Sequence, residues 1–248
     1  AQCQLSSGNW QLAEETVRQS NHIFNAQRSV AGSFFSNLCL AHSLLYQRKI
    51  NLAEKALNAA KSVIIDVNSY EPYVKTIHIW LLEAEICRFR GQWDSAHEAL
   101  RLAGAAAARI TSRHLDAQAS NLLGKLHRSR QEWPLAIRSF DRAIQLTASS
   151  GDYMIAAQAQ QSLGSIYIKQ MNFDAALTAL ASSMETKQQY ADWYGIGKTL
   201  NSLAHIKRAS GDFAGSIAQY AESLECFNRI ENWHKASRVL CRMGMAYF

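Results

Sequence analysis

The feature that most constrains the fold of this chain is a repeat of small residues about every 40 positions. Successive members of the series are separated by 40, 43, 40, 40 and 40 residues. The series is Ala13, Ala53, Ala96, Ala136, Ala176 and Ser216. Another Ala or Gly lies twelve positions before each member, and a large apolar residue lies four positions after it. Small residues let two helices approach closely, so the pattern predicts stacked helix-turn-helix repeats.

Each repeat therefore contains two helices, named A and B. The predicted A helices are 32–47, 72–90, 113–129, 152–169, 192–209 and 232–248, and the predicted B helices are 11–28, 51–66, 94–110, 134–149, 174–190 and 214–229. The turns between A and B helices are predicted near 8, 48, 91, 131, 171 and 211. We expect one all-α domain over 1–248, and because both ends fall inside an A helix without a polar cap, a fragment of a longer protein.

The repeat resembles the tetratricopeptide repeat, whose pattern is W-x2-L-G-x2-Y, A-x3-F and P. Repeat five carries Leu163-Gly164, Tyr167, Ala176 and Leu180, repeat four carries Leu123-Gly124, Ala136 and Phe140, and repeat three carries Trp80. The repeat is about 40 rather than 34 residues long and lacks the closing proline. In this it is similar to kinesin light chains, Pins-type adaptors, maltose-activator-type bacterial sensor domains and subunits of the anaphase-promoting complex. The resemblance implies a right-handed α-solenoid of antiparallel helix pairs, with six repeats and a partial seventh.

The resemblance also implies that the A helices line a concave groove. The groove positions then lie six and three residues before the small residue of each A helix, and one and four after it. They are Gln118, Asn121, Lys125 and Arg128 in repeat four, Gln158, Gln161 and Ser165 in repeat five, Lys198, Asn201, His205 and Arg208 in repeat six, and Arg238 in repeat seven. Repeat three contributes His78, Leu81, Glu85 and Arg88. Spacings of three and four place each set on one stripe of its helix.

Two properties of this stripe favour an acidic, extended partner. Asn121, Gln161 and Asn201 form an amide ladder that steps once per repeat, and amides can both donate to and accept from a peptide backbone. From residue 113 onward, basic residues dominate the A helices and the turns after them. They are Arg113, Lys125, Arg128, Arg130, Lys169, Lys198, Lys207, Arg208, Lys235, Arg238 and Arg242. Some of these cations also suit helix C-termini without any ligand.

The sequence therefore predicts a non-enzymatic interaction scaffold, on its own or as a subunit of a larger complex. Its groove would hold an acidic partner segment, with charge pairing to Lys125, Arg128, Lys198 and Arg208. The alternative is a ligand- or peptide-sensing regulatory domain of a signalling ATPase or transcription activator. Nucleic acid is disfavoured: the net charge of +6 permits it, but the groove stripe lacks interleaved aromatic and basic residues.

The segment G-I-G-K-T at 195–199 looks like the end of a phosphate-binding loop. The first glycine position of that motif holds Asp192, and the preceding residues are predicted helix B rather than a strand. We therefore expect a helix N-terminus capped by Asp192, as the matching Asp152 would cap the previous A helix.

Further patterns exclude other classes of function. The histidines show no metal-ligand spacing and no nucleophile motif is present, so we expect no cofactor, no metal and no enzymatic activity. The longest apolar runs are far shorter than the ~18 residues of a membrane span, so we expect no membrane insertion. Five scattered cysteines predict mostly buried, reduced thiols in a cytosolic or nuclear compartment.

Overall fold

The computed structural model describes residues 10–62, 70–148 and 151–247, and within those ranges the chain forms twelve helices and no strand. The B helices are α1 (Trp10–Ala26), α3 (Ile50–Ser62), α5 (Trp93–Arg109), α7 (Trp133–Thr147), α9 (Phe173–Gln189) and α11 (Phe213–Arg229). The A helices are α2 (Val30–Tyr46), α4 (Tyr70–Arg90), α6 (Arg113–Ser129), α8 (Tyr153–Lys169), α10 (Trp193–Ala209) and α12 (Trp233–Gly244). The predicted all-α solenoid is confirmed. None of the described helices is long and apolar enough to span a membrane.

The helix boundaries agree closely with those predicted from the repeat. Most B helices begin one residue earlier than predicted, at the aromatic residue that follows the turn, as at Trp93 and Phe173. The last A helix ends at Gly244 rather than 248. The turn predicted near 8 and the end of the helix predicted at 51–66 lie outside the described residues.

Eight of the turns between the described helices are three-residue connectors whose middle residue has a left-handed backbone. After α9, for example, Ala191 has a φ of 50°, and the N–H of Asp192 donates to the Lys187 carbonyl at 2.9 Å. This is the Schellman arrangement, for which glycine is the usual middle residue. Glycine fills this position at Gly211, and Gly91 and Gly151 also have a positive φ, in turns of other lengths. Seven non-glycine residues adopt the same positive φ in the other three-residue connectors. The flanking hydrogen bonds impose the conformation on these side chains.

The last residue of the turn before α10 caps that helix, and this explains the glycines of 195–199. Asp192 Oδ1 accepts from the Gly195 N–H at 2.9 Å, which confirms the predicted cap, whereas the Asp152 side chain makes no capping bond. Gly195 and Gly197 therefore lie in the first turns of α10. A Cβ at Gly197 would lie 3.0 Å from the Phe227 ring. This glycine permits close packing of α10 against α11 rather than forming a phosphate loop.

The repeated small residues lie at the helix–helix contacts, as predicted. The B-helix series is fully buried where it is described, from Ala13 to Ser216. A Cβ at Gly124 would lie 2.6 Å from the Phe140 ring, and one at Gly164 would lie 2.7 Å from Leu180. Each A helix thus takes the large side chain of its B helix directly against its backbone.

The described residues divide into two compact units, one of α1–α7 and one of α8–α12. In the first unit α2, α4 and α6 pack side by side, and in the second α8 packs against α10. Within the described residues, successive B helices contact each other less than successive A helices do. The A helices therefore form the inner layer of each unit. The single domain expected over 1–248 stays a prediction.

Candidate functional site

The amide ladder predicted to line the groove lies largely inside the protein. Asn121 and Gln161 are each only 4% exposed. Asn201 is half-buried, and its Oδ1 is a buried atom with no hydrogen-bond partner among the described residues. Asn201 therefore has an unsatisfied acceptor atom at the A-helix face.

The other predicted residues differ in their access to solvent. Gln158 and Arg238 are exposed, whereas Gln118, Lys125, Arg128, Ser165, Lys198, His205 and Arg208 are partly buried. The Gln118 amide shares a hydrogen bond with His114 Nε2 at 2.9 Å. The Ser165 hydroxyl donates to the Gln161 main-chain carbonyl at 3.0 Å. Both side chains are thus engaged within their own helices.

In the first unit, a buried carboxylate stands at the centre of the A-helix face. Glu85 on α4 is 3% exposed and accepts a hydrogen bond from the Tyr46 hydroxyl at 3.1 Å. His42 Nδ1 lies 3.8 Å from one of its oxygens, and an Arg88 Nη lies 3.7 Å from the other. Burial by itself raises the pKa of Glu85, but Lys125, Arg88, His42 and the Tyr46 hydrogen bond hold that pKa below its usual value.

Lys125 on α6 is the counterpart of this carboxylate. Burial lowers the pKa of Lys125 to about 8, opposed by the charge of Glu85 and assisted by Arg88 and Arg128. The two residues occupy the same phase of neighbouring repeats, 40 residues apart. This spacing is the sequence signal that places an acid and a base at matching positions of neighbouring repeats. Lys125, predicted to bind an acidic ligand, already faces an acid of its own unit.

In the second unit, cations on three A helices act on one histidine. Burial lowers the pKa of the half-buried His205, and Arg208, Arg242 and Lys169 lower it further, with no described carboxylate opposing them. None of these three cations forms an ion pair within the part of the chain that the structure describes. His205 Nδ1 is also a buried atom without a hydrogen-bond partner there. Lys169 and Arg242 were recognised as basic in the sequence but not placed in the site.

A second buried lysine lies behind this face, on the B helix α9. Lys187 is fully buried, and its Nζ donates to Gln161 Oε1 at 2.8 Å and to Thr199 Oγ1 at 3.2 Å. Burial lowers its pKa to about 7, opposed by Asp192. The matching residue of the next repeat is the buried Phe227. The sequence signal is a lysine at a core position of a B helix, outside the A-helix stripe from which the site was predicted.

Other candidate chemistry is limited in the described ranges. No three His, Cys, Asp or Glu residues of 10–62, 70–148 and 151–247 are grouped so that they could hold a metal ion. The expectation of mostly buried thiols is wrong for the described cysteines: Cys226 is buried, Cys39 and Cys87 are half-buried, and Cys241 is exposed.

Comparisons with known proteins identify one matching family model and several solved structures with a similar fold. The family model described as soluble NSF attachment protein, SNAP, matches residues 46–246. A search of curated protein sequences found no match. Among solved structures, BtubC (BKLC) from P. vanneervenii aligns with a TM-score of 0.60 at 17% identity over 98% of this chain and 93% of that chain.

Two further structures have a similar fold. A STAND protein with a tetratricopeptide repeat sensor, from Pyrococcus horikoshii, aligns with a TM-score of 0.68 at 14% identity over 96% of this chain and 37% of that one. Aspartyl phosphate phosphatase F from Bacillus subtilis gives 0.61 at 14% identity over 96% and 69%. At these identities the likeness shows the fold alone. A tetratricopeptide-like repeat is confirmed, but the long-repeat subtypes named from the sequence are not, and the matching family was not among them.

Proposed function

Because the chain belongs to the soluble NSF attachment protein (SNAP) family, we propose that it acts as a non-enzymatic scaffold that binds another protein. The matching region covers most of both units. The family's name describes attachment to a protein, which favours a scaffold over the alternative of a ligand-sensing regulatory domain.

We place the partner on the A-helix face of the second unit, and we propose that the bound segment is acidic. The observation that carries this proposal is that the charges of Arg208, Arg242 and Lys169 all act on His205, while no described carboxylate opposes them there and none of the three forms a described ion pair. A face lined by charges of one sign attracts a ligand of the opposite sign. Carboxylates of a partner would supply the missing negative charge.

The polar atoms of the same face support an extended segment. Asn201 Oδ1 and His205 Nδ1 lie one helical turn apart on α10, and neither has a hydrogen-bond partner among the described residues. A buried polar atom without a partner costs about 1–3 kcal/mol. A main-chain N–H of a bound peptide would satisfy the Asn201 oxygen, while its acidic side chains pair with the cations.

Peptide binding to matched charge-reversal variants tests this proposal. The probe is a fluorescent glutamate-rich peptide, and the readout is fluorescence anisotropy at low and high salt. We expect Arg208→Glu to weaken binding about tenfold or more, since close charge pairs at interfaces contribute ~1.5 kcal/mol or more. Arg138→Glu is the control, because Arg138 is an exposed residue on the B helix α7 of the first unit. Equal losses in both variants would show non-specific attraction and reject the proposed face.

A further inference from the structure

The buried amine of Lys187 is in contact with one residue of the predicted ladder. Its Nζ lies 2.8 Å from Gln161 Oε1 and 3.2 Å from Thr199 Oγ1, between α8, α9 and α10. The Thr199 hydroxyl donates its hydrogen to the Gly195 carbonyl at 3.0 Å. Since that hydrogen is already used, the hydroxyl can only accept from the lysine. The amine therefore donates to both neighbours.

A protonated amine fixes which way the Gln161 amide points. An ammonium group has three donors and no acceptor, so it can face only the oxygen of the amide. The nitrogen end is then directed away from Lys187. The Gln161 Nε2 atom makes no hydrogen bond to the described residues. It also keeps a small solvent-accessible surface, although Gln161 as a whole is only 4% exposed. Gln161 belongs to the A-helix stripe, three residues before Gly164.

We propose that Lys187 is a positioning residue that orients Gln161, so that Gln161 presents a hydrogen-bond donor to the bound segment. This proposal rests on the proposed function, because it concerns the same face of the second unit. It assigns the fifth repeat a chemical preference: Gln161 contacts an acceptor of the partner, a main-chain carbonyl or a side-chain carboxylate. Asn201, with its unsatisfied oxygen, contacts a donor.

The orientation depends on the protonation of the amine. A neutral amine has a lone pair and can accept from Gln161 Nε2, so the amide is then free to rotate. The charged groups that face Lys187 are Asp192 in the α9–α10 turn and, next to that carboxylate, Lys198 on α10, whereas Gln161 and Thr199 are neutral. Because burial lowers the pKa of Lys187 to about 7, the change falls near neutral pH.

The test follows side-chain signals of the free protein by NMR as the pH is raised from 6 to 9. We expect the Gln161 side-chain amide signals to shift with the same midpoint as the Lys187 Cε signal. The Gln158 amide, one turn away on α8 and exposed, is the matched control and should not follow that midpoint. If Lys187 titrates and the Gln161 amide does not respond, the proposal is wrong.

A variant and a binding measurement separate positioning from a purely structural role. In Lys187→Met the Gln161 titration should disappear, and its persistence would overturn the proposal. If that variant does not fold, the wild-type titration alone decides. We also expect the glutamate-rich peptide to bind the wild-type protein at least threefold more weakly at pH 8.5 than at pH 6.5, and this ratio should fall towards one in Lys187→Met.

The NMR titration and the peptide-binding measurement distinguish an error in this proposal from an error in the proposed function. If the peptide binds neither protein while Gln161 still follows Lys187, the proposed acidic ligand is wrong and the coupling between the two residues stands. If the peptide binds with the same dependence on pH in both proteins, Lys187 does not position the contact, although the binding face is correct.

Discussion

The A-helix faces of the two units have the same architecture but opposite electrostatic organisation. In the first unit Lys125 and Arg88 surround the buried Glu85, so the cations are neutralised by the protein itself. In the second unit Lys169 and Arg208 act on His205 with no described acid nearby. A count of basic residues along the chain does not distinguish these cases. A face that contains its own counter-charge has less charge left for a partner than a face without one.

Two lysines with lowered pKa values show the same contrast in a different form. Lys125 is compensated by a carboxylate, and its pKa falls only to about 8. Lys187 is hydrogen-bonded to a neutral amide and a hydroxyl, and its pKa falls to about 7. The charge of Lys125 is favoured by Glu85. Burying the charged form of Lys187 lowers the free energy of unfolding, and this penalty disappears as the amine loses its proton.

The largest effect is expected when charge is reversed in the first unit. Lys125→Glu places a second carboxylate beside the buried Glu85 and removes its counter-charge. Lys125 acts on Glu85 through its charge rather than through an ion pair, and a buried charge without compensation costs several kcal/mol. We therefore expect a loss of about 3 kcal/mol in the free energy of unfolding, measured by urea denaturation. Arg208→Glu in the second unit should change it by less than ~1 kcal/mol, since that cation has no partner to lose. Equal losses in the two variants would remove the distinction between the faces.

The next effect is a dependence of stability on pH that comes from the second unit. The folded-state pKa of Lys187, about 7, lies below its ordinary value of 10.5, so between these values the unfolded chain holds more protons than the folded one. The contribution of Lys187 to stability therefore rises with pH across this range, by about 3 kcal/mol between pH 7 and 10. Urea denaturation at several pH values should show this rise in the wild-type protein and a smaller one in Lys187→Met. Parallel pH profiles of the two proteins would show that Lys187 is solvated.

The fold was predictable from the sequence because its signal is repeated. Ala136 and Gly124 recur in phase in several other repeats, and each recurrence is independent evidence for the same helix pair. The seven left-handed residues that are not glycine were missed, because connector hydrogen bonds rather than side-chain preference determine them. Chain geometry of this kind follows from the three-residue length of the connector.

The site was less predictable because its chemistry depends on contacts between repeats. Position within the repeat placed Gln161 and Lys125 on the A-helix stripe. It did not show that Lys187 donates to Gln161 or that the charge of Glu85 acts on Lys125. Both contacts cross from one helix to another and join residues 26 or 40 positions apart. The burial of the amide ladder likewise depends on how tightly the A helices pack. The position of a residue within its repeat does not reveal this.

Both units share a close contact between an A-helix glycine and a large side chain of the B helix. Gly124→Ala in the first unit and Gly164→Ala in the second each place a methyl group within 2.7 Å of a buried side chain. Overpacking of this kind costs about 1–3 kcal/mol, and we expect the larger loss at Gly124, where the rigid Phe140 ring cannot move aside as Leu180 can. Thermal unfolding measures both changes. Gly104→Ala is the control, because a Cβ there meets nothing within 4 Å and an alanine favours the helix by about 0.5–1 kcal/mol.

The smallest effect is expected at the turns, where the two units should again behave alike. Gln131 in the first unit and Ala191 in the second have φ values of 62° and 50°, which strain any side chain with a Cβ. We expect Gln131→Gly and Ala191→Gly each to raise the free energy of unfolding by up to about 1 kcal/mol, and Gly211→Ala, at a φ of 85°, to lower it by a similar amount. Urea midpoints at constant m-value provide the measurement. If both glycine variants raise the free energy of unfolding equally, the units differ in the charges of their A-helix faces and not in their turns. If only one variant raises it, the turns of the two units differ as well.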